Sequence, residues 1–285
     1  MSTPANAEMV RYWNEVSGPK WVALQTVIDR QIEPLGRRAL ARAGLAAGER
    51  VLDVGCGCGA TSLEAARQVA PGGSVLGLDL SAPMLARARE RAAAEDVANA
   101  EFLQADAQTA ALPGPFDAVV SRFGVMFFDA PALAFTNLRR TLRTGGRLSF
   151  VCWQGVNRNP WMSVPLAAVA SVLPLPPPAA PDAPGHFAFA DENRVRGILA
   201  EAGFKDVVVE GVEERLAVGP GDLEGTARFL LSMGPAAVVL RESPEAAARE
   251  AEVLEAVRTA LRPHLTPDGV VMPSACWLVS ARNPG

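Results

Sequence analysis

The sequence has few side chains that exchange protons near neutral pH. Among its 285 residues there are two histidines, His186 and His264. Histidine is the side chain whose ordinary pKa lies between pH 5 and 8. Candidate general bases are therefore scarce, and a reaction that needs a histidine base could use only one of these two residues.

Cysteine is also infrequent, and its spacing does not suit a metal. The four cysteines are Cys56, Cys58, Cys152 and Cys276. Cys56 and Cys58 are separated by one residue, and neither a second pair nor a nearby histidine completes a zinc site. We therefore expect no metal, and we expect reduced thiols in a cytoplasmic protein.

The sequence has no excess of basic charge and no run of lysine or arginine. Its net charge is −4 at pH 7. Nucleic-acid backbones bind clusters of basic side chains, so extended contact with DNA or RNA is disfavoured. We expect no nucleic-acid partner.

Long apolar runs are missing as well. The longest nearly continuous one, VPLAAVASVLPL at 164–175, is too short to span a bilayer and ends in prolines. The first residues, MSTPANAEMVRYW, lack the charged start and apolar centre of a signal peptide. We expect a cytoplasmic protein with no membrane partner, and the sequence carries no signal for its oligomeric state.

What the sequence does have is a regular alternation of strand and helix patterns. Apolar residues make up 49% of the chain, enough for a substantial core. Strand patterns occupy 51–55, 74–80, 100–106, 116–123 and 147–153. Helical patterns lie between them, and the pair Gly145-Gly146 is expected to end a helix before the fifth strand. The alternation predicts an α/β fold with a doubly wound, mostly parallel sheet and helices on both faces.

The pattern changes on both sides of this core. The segment 157–190 is rich in proline and shows no clear period, which is typical of a lid. Residues 222–262 are expected to form one or two helices, broken near Gly234, with strands before and after them at 206–218 and 270–282. The predicted parts are an N-terminal helical cap at 1–48, a ligand-binding core at 49–156, a lid and substrate insertion at 157–190, and a C-terminal completion of the sheet at 191–285.

The most informative stretch is VLDVGCGCGATSL at 51–63. Three glycines follow one another at every second position between a strand and a helix. In a doubly wound sheet, ligands bind beyond the carboxyl ends of the strands, and glycine lets the backbone approach them closely. The pattern Gly55-x-Gly57-x-x-Ala60 also fits the looser dinucleotide fingerprint, so a nicotinamide cofactor is one interpretation.

Three features favour S-adenosylmethionine instead. Asp53 lies in the strand just before the glycines, where it would repel a pyrophosphate and either anchor the turn or face an ammonium group. Asp106 and Ala107 end the third strand, in place to receive the exocyclic amine of adenine. The fourth strand is followed by aromatic and apolar residues rather than by a second phosphate loop.

The motifs VLDVGCGCGATSL, VLGLDLSAPML, FLQADAQTAALPGPFDAVVSRFGVMFF and LRTGGRLSFVCW resemble, in order and spacing, those of class I S-adenosylmethionine-dependent methyltransferases. The subgroup they are most similar to contains small-molecule enzymes like the ubiquinone/menaquinone C-methyltransferases. The resemblance covers about 50–155 and implies seven strands, the last of them antiparallel. It implies S-adenosyl-L-methionine as cofactor, and methyl transfer to a small, apolar or aromatic molecule.

The resemblance also implies the cofactor-binding residues. Asp53 and three glycines would surround the methionine part, Asp79 would hold the ribose hydroxyls, and aromatic side chains of the cap would close over the cofactor. The predicted cofactor site comprises Tyr12, Trp13, Trp21, Asp53, Gly55, Gly57, Gly59, Asp79, Leu80, Met84, Asp106, Ala107, Ser121 and Arg122.

Acceptor-side residues are predicted from their positions. His186, near the end of the lid segment, is the candidate catalytic base. Phe127, Phe128, Trp161 and Phe187 are expected to form an apolar wall for the acceptor. The arginines of the run Arg87-Ala-Arg89-Glu90-Arg91 are expected to lie on a solvated helix face.

Two other catalytic functions remain open from the sequence, beside a non-catalytic module that binds the cofactor and a partner, against which the intact motifs argue. One is a methyltransferase that acts on RNA or protein, although the residues after the fourth strand, Ser121-Arg122-Phe123-Gly124, lack the motif of exocyclic-nitrogen methylation. The other is a nucleotide-dependent oxidoreductase, against which Asp53 argues. The atom that is methylated cannot be read from these residues.

Overall fold

The molecule, a computed structural model, is described over residues 6–177 and 180–285; the first five residues of the predicted cap and two residues of the predicted lid lie outside this range. Its sheet contains the predicted strands and a further short one. The strands are β1 (Arg50–Val54), β2 (Ser74–Asp79), β3 (Ala100–Gln104), β4 (Phe116–Arg122), β5 (Leu142–Trp153), β6 (Lys205–Val218), β7 (Leu265–Thr266) and β8 (Gly269–Arg282).

The order of the strands is that of a doubly wound sheet. It runs β3-β2-β1-β4-β5-β8-β6, with the two-residue β7 pairing only to β8. Strands β1 to β5 pair in parallel, and β8 is antiparallel to both β5 and β6. The predicted fold class is therefore confirmed, with β7 as an addition. The chain order reverses between β1 and β4, so the crevice of such a sheet lies directly beyond the carboxyl end of β1.

Burial of the strands follows their place in the sheet. In β1 every residue after Arg50 is buried, and in β4 five of seven are. Continuous burial means that helices cover both faces of these central strands. Strand β6 instead alternates buried and exposed positions for much of its length, as expected for an antiparallel edge strand with one solvated face.

Helices surround the sheet and precede it. Beyond a π-helical turn at Tyr12–Val16, the helices are α1 (Ala7–Arg11), α2 (Ser17–Ala23), α3 (Gln25–Ala43), α4 (Ala60–Val69), α5 (Ala82–Ala94), α6 (Pro131–Thr141), α7 (Pro160–Ala170), α8 (Glu192–Glu201), α9 (Leu223–Ser232), α10 (Gly234–Glu242) and α11 (Glu250–Leu261). Ser81 and Asp191 accept backbone N–H groups at the starts of α5 and α8, which is the usual role of an N-cap side chain. The break predicted near Gly234 separates α9 from α10.

Two local expectations are wrong. The pair Gly145-Gly146 does not precede the fifth strand but lies inside β5, where Gly145 has φ of 74° and the pairing with β4 shifts register, as in a β-bulge. The segment 157–190, predicted without regular structure, contains helix α7, whose residues Trp161, Met162 and Val169 are buried. Its apolar residues show no helical period because several of its faces are covered at once.

Helix α7 joins the two predicted insertions. It packs against α9, α10 and α11, and α11 also packs against α9. The helices from 157–190 and from 222–262 thus form one helical layer beside the carboxyl ends of the strands. The division of the chain into four parts stays a prediction.

The described helices are too short or too polar, each taken singly, to cross a membrane. Within 6–177 and 180–285, no single helix combines the length and apolarity needed to cross a bilayer. Helices α9 and α10 reach that threshold only when taken together, and they are bent by 65° relative to each other.

Candidate cofactor and acceptor site

The glycine turn after β1 is held in a conformation that side chains would obstruct. Gly55 and Gly57 have φ of 67° and 55°, in the left-handed region that favours glycine. A Cβ on Gly55 would lie 2.6 Å from the Cα of Gly124, and one on Gly57 would lie 2.8 Å from the Cε of Met84. The turn therefore leaves its backbone open toward a cavity that both Gly55 and Gly57 line.

Carboxylates lie at the ends of the next two strands. Asp79, at the end of β2, accepts the N–H groups of Gly57 at 2.8 Å and of Ser81 at 2.9 Å, one on each oxygen. Burial raises the pKa of Asp79. Asp106, after β3, accepts the Gln108 N–H at 2.9 Å and the Asn6 side-chain amide at 3.3 Å. Both carboxylates line the cavity.

Asp53, in contrast, is fully buried and does not line the cavity. It is 0% exposed and accepts the Ser62 hydroxyl at 2.6 Å, and its second oxygen has no hydrogen-bond partner in the described part of the chain. Burial raises the pKa of Asp53 to about 6. Because it lies behind the cavity wall, Asp53 is placed to anchor the turn through helix α4 rather than to face a ligand's ammonium group.

This burial predicts a pH dependence of stability. The pKa of Asp53 rises from 3.8 to about 6 on folding, so the folded state holds its proton more firmly, and the stability that this proton contributes is lost as the pH rises through that window. We expect Asp53→Asn to gain stability relative to the unsubstituted protein by about 1 kcal/mol between pH 5 and pH 8. Urea unfolding at both pH values measures it. An equal stability difference at the two pH values would contradict the assignment.

The N-terminal helices form a cover over one side of the cavity. The Ser81 hydroxyl donates to the Trp13 carbonyl at 2.7 Å, and the Asn14 side chain donates to the Leu80 carbonyl at 3.0 Å. The Trp13 ring packs edge-on against those of Trp21 and Phe127, at 5.9 and 5.0 Å. The cap is thus fastened to the loop after β2, which places two of its tryptophans in the cavity wall.

A mostly buried ionic network, which was not predicted, lies on the α3 side of the glycine turn. Asp29 of α3 accepts from Arg91 and from Arg122, each at 2.9 Å, and from Gln25 at 2.6 Å. Arg91 also donates to the carbonyl of Cys58 at 2.8 Å. Arg91 was predicted on a solvated helix face but is mostly buried, and its bond to Cys58 connects α5 to the glycine turn.

The other part of the cavity is aromatic. Phe123 stacks on Trp153 with ring centroids 4.1 Å apart, and Trp153 contacts Trp161 at 5.1 Å. Phe123 has φ of 63°, an uncommon value for a bulky residue and one that marks a constrained turn. The three side chains line the cavity beyond the end of β4.

His186, in the predicted lid, lines the same cavity as these aromatic side chains. Its imidazole packs edge-on against Phe127 at 5.7 Å, and the neighbouring Gly185 N–H donates to the Met126 carbonyl at 3.0 Å. Desolvation lowers the pKa of His186 to about 4, so the ring is neutral at physiological pH. Within the described parts of the chain, the imidazole makes no hydrogen bond.

Most of the predicted site residues meet in this one cavity. Those that line it are Trp13, Trp21, Gly55, Gly57, Asp79, Leu80, Met84, Asp106, Ala107, Arg122, Phe127, Phe128, Trp161 and His186. Their binding roles stay predictions, because a wall position alone does not establish a contact with a ligand.

The remaining predicted residues lie outside the wall. Asp53 is buried behind it, and Ser121 is turned inward, donating to the Val54 carbonyl at 2.7 Å. A Cβ on Gly59 would face Ala88 and Phe102 rather than the cavity. Tyr12 lines a smaller adjoining pocket, and Phe187 packs against the core.

Several wall residues were not predicted. They come from α3, from the turn after β1, and from α9 and the residue that follows it, and they include Gln25, Ile28, Asp29, Gln31, Ile32, Cys56, Phe229 and Met233. For Gln31 a signal was present in the sequence, because it stands on the same helix face as Ile28, Ile32 and Leu35, where a polar residue is unexpected.

The turn suits S-adenosylmethionine better than a dinucleotide. Asp79 and Asp106 line the wall, and the arginines nearest the turn, Arg91 and Arg122, are already paired with Asp29. Carboxylates and aromatic faces attract a cationic sulfonium and repel a pyrophosphate. The residues present therefore fit this cofactor.

Comparison with known proteins agrees. A family model described as a methyltransferase domain matches residues 51–146. Among curated proteins, the aklanonic acid methyltransferase DauC of Streptomyces sp. (strain C5) is 36% identical over 118 residues, which are 41% of this chain and 54% of DauC. The matched part thus spans about half the length of that relative.

Solved structures share the fold. A putative methyltransferase from Bacillus halodurans matches with a TM-score of 0.55 at 18% identity, over 88% of this chain and 99% of that one. Phosphoethanolamine N-methyltransferase 2 of Haemonchus contortus, in complex with S-adenosyl-L-methionine, matches with a TM-score of 0.53 at 21% identity, over 88% and 53% of the two chains. Fold, family model and glycine turn lead to one assignment. Residues 51–146 form a methyltransferase domain of the class I S-adenosylmethionine-dependent type, with S-adenosylmethionine as its cofactor.

Proposed function

We propose that the protein transfers the methyl group of S-adenosylmethionine to a small, apolar or aromatic molecule. The observation that carries the proposal is the continuity of one cavity, which is lined at one end by Gly55 and Asp79 and at the other by Phe123, Trp153 and Trp161. A cofactor held at the first end would present its methyl group toward the second.

The protein's own contribution is placement and exclusion of water. Bound S-adenosylmethionine supplies an activated methyl carbon for in-line displacement. The aromatic walls hold an apolar acceptor beside it, and good orientation contributes roughly 7–11 kcal/mol to lowering the barrier. The cap helices limit the access of water, which strengthens every electrostatic interaction inside the cavity.

His186 is the candidate base for acceptors that must lose a proton. It lines the cavity, and the pKa of about 4 leaves its imidazole neutral and able to accept a proton throughout the physiological range. A group with so low a pKa is a weak base, so its contribution lies at the lower end of general-base catalysis.

The prediction for His186 is a loss of turnover without a loss of cofactor binding. His186→Gln is expected to lower kcat by about 100-fold and to leave the affinity for S-adenosylmethionine unchanged. The activity of the unsubstituted protein should show no inflection from His186 between pH 5 and 8, because deprotonation is complete above its pKa of about 4. His264→Gln, in the turn before β7, is the matched control and should retain full activity. A turnover of His186→Gln equal to that of the control would exclude the base role.

The acceptor class is tested directly. The protein is incubated with methyl-labelled cofactor and cell extract, and the products are separated into small molecules and polymers. We expect label in the small-molecule fraction, with Gly55→Ala, which is not expected to bind the cofactor measurably, as the inactive control. Label found only in protein or RNA would replace the proposal by the macromolecular alternative.

The oxidoreductase alternative is tested by calorimetry. S-adenosylmethionine should bind more tightly than NADH, because the wall near the glycine turn carries carboxylates. Tighter binding of NADH would overturn the proposed function.

The name of DauC, an aklanonic acid methyltransferase, supports a small-molecule acceptor, and membership of the ubiquinone/menaquinone-like subgroup stays a prediction.

A further inference from the structure

Three buried polar atoms in the cavity wall have no hydrogen-bond partner among the residues that the structure describes: Asn6 Oδ1, whose amide group already bonds Asp106, and one atom each on Gln31 and Trp161. The Gln31 side chain is 3% exposed, and its carbonyl oxygen Oε1 accepts no hydrogen bond within the described residues. Trp161 is 8% exposed, and its indole N–H donates to none of them. Buried polar atoms in folded proteins nearly always have partners, so each of these two needs an explanation.

Their surroundings are apolar, and they come from different walls. Gln31 lies on α3, on the helix face that presents Ile28 and Ile32 to the cavity. Trp161 lies on α7 and packs against Trp153, which stacks on Phe123. Both side chains line the same cavity, in which the acceptor is proposed to bind.

A purely structural role does not account for either group. A buried amide without a partner destabilises a folded protein, and an apolar side chain of the same shape would be as good or better at that place. The indole N–H of Trp277 shows the usual arrangement, because it donates to the carbonyl of Ala190 at 2.8 Å. The pair in the cavity wall is therefore arranged for a partner that enters the cavity.

We propose that Gln31 and Trp161 are the polar anchors of the acceptor, which is an oxygenated aromatic molecule. One hydroxyl donates to Gln31 Oε1, and an oxygen elsewhere on the ring system, a carbonyl or a second hydroxyl, accepts from Trp161 Nε1–H. The inference rests on the proposed function and narrows its substrate class. Molecules of the same shape without these oxygens leave both protein groups unpaired and bind weakly.

Binding of two probes of matched shape tests this. The probes are 6-acetyl-2-naphthol, which has a hydroxyl at one end and a carbonyl at the other, and 2-isopropyl-6-methylnaphthalene, which has neither and carries a methyl and an isopropyl group in their places. Their affinities are measured by calorimetry on the full chain saturated with S-adenosylhomocysteine. We expect the oxygenated probe to bind at least about tenfold more tightly, since it alone pairs the two buried groups.

Variants separate anchoring from a structural role. Gln31→Met and Trp161→Phe should each reduce the preference for the oxygenated probe, while the affinity for S-adenosylhomocysteine stays unchanged. Gln31→Met should not lower the melting temperature, because it removes an unpaired buried amide. Trp277→Phe, the control, should lower the melting temperature and keep the preference.

Several results would overturn the inference. They are equal affinity for the two probes, failure of both probes to bind, and an unchanged preference in Gln31→Met and Trp161→Phe. The labelling experiment with cell extract keeps the two proposals apart. A preference for the oxygenated probe without any labelled small molecule would refute the proposed function and leave the anchoring pair standing.

Discussion

Gly55→Ala is expected to abolish measurable binding of S-adenosylmethionine. The new Cβ would lie 2.6 Å from the Cα of Gly124, and neither backbone can move without displacing its strand end. The positive φ of 67° adds about 1–2 kcal/mol of strain for a residue with a side chain. The turn must therefore leave the geometry that places its backbone against the cofactor, and we expect an affinity loss of at least about 100-fold by calorimetry.

Gly48→Ala is the matched control for that experiment. Gly48 also has a positive φ, 84°, but a Cβ there would meet no atom within 4 Å. It precedes β1, at the end of the strand opposite the glycine turn. We expect Gly48→Ala to lower the melting temperature through strain alone and to bind the cofactor normally. Normal binding by Gly55→Ala would contradict the role of the close approach.

Asp79→Asn is expected to have the second largest effect. Both oxygens of Asp79 accept backbone N–H groups, from Gly57 and from Ser81. Asparagine has one oxygen, so its amide NH₂ would face one of these donors and push the glycine turn or the start of α5 out of place. The negative charge that is predicted to hold the ribose hydroxyls is also lost. We expect the affinity for S-adenosylmethionine to fall by about 10- to 100-fold, measured by calorimetry.

Asp117→Asn is the control for the carboxylate. Asp117 likewise uses both oxygens, accepting the Arg50 N–H at 2.8 Å and the Arg143 guanidinium at 2.6 Å. It begins β4, at the opposite edge of the sheet from the cavity. Its substitution should reduce stability and leave cofactor affinity unchanged. Equal affinity losses in the two variants would show that the effect of Asp79→Asn is a general loss of stability.

The cofactor half of the site could be predicted from the sequence because its parts are local. Asp79 ends a strand, and the glycine turn joins a strand to the helix that follows it. In a parallel sheet all such carboxyl ends lie at one edge, so a strand assignment is enough to place these residues together. Asp53 shows the limit of this reasoning. Its position in the strand was predictable, but the direction of its side chain, away from the cavity, was not.

The acceptor half could be predicted only in part because its walls come from distant segments. Trp161 and His186 were expected there from their positions in the lid, whereas Gln31 and Phe229 were not. Whether a helix presents a given face to the cavity depends on how it crosses the sheet, and α3 packs on β4, β5 and β6 together. Local periodicity carries no information about that crossing.

The sequence by itself determined the alternation of strands and helices, the order of the motifs and the chemistry of the turn, since each depends on residues within one strand–turn–helix unit. Only the tertiary structure decided which side chains share the cavity: it turned Ser121 inward, joined Arg91 and Arg122 through Asp29, and left Gln31 Oε1 and Trp161 Nε1 without partners among residues 6–177 and 180–285. The physical reason is that burial and pairing are set by contacts between segments far apart in the chain, and these form only when the helices close over the sheet.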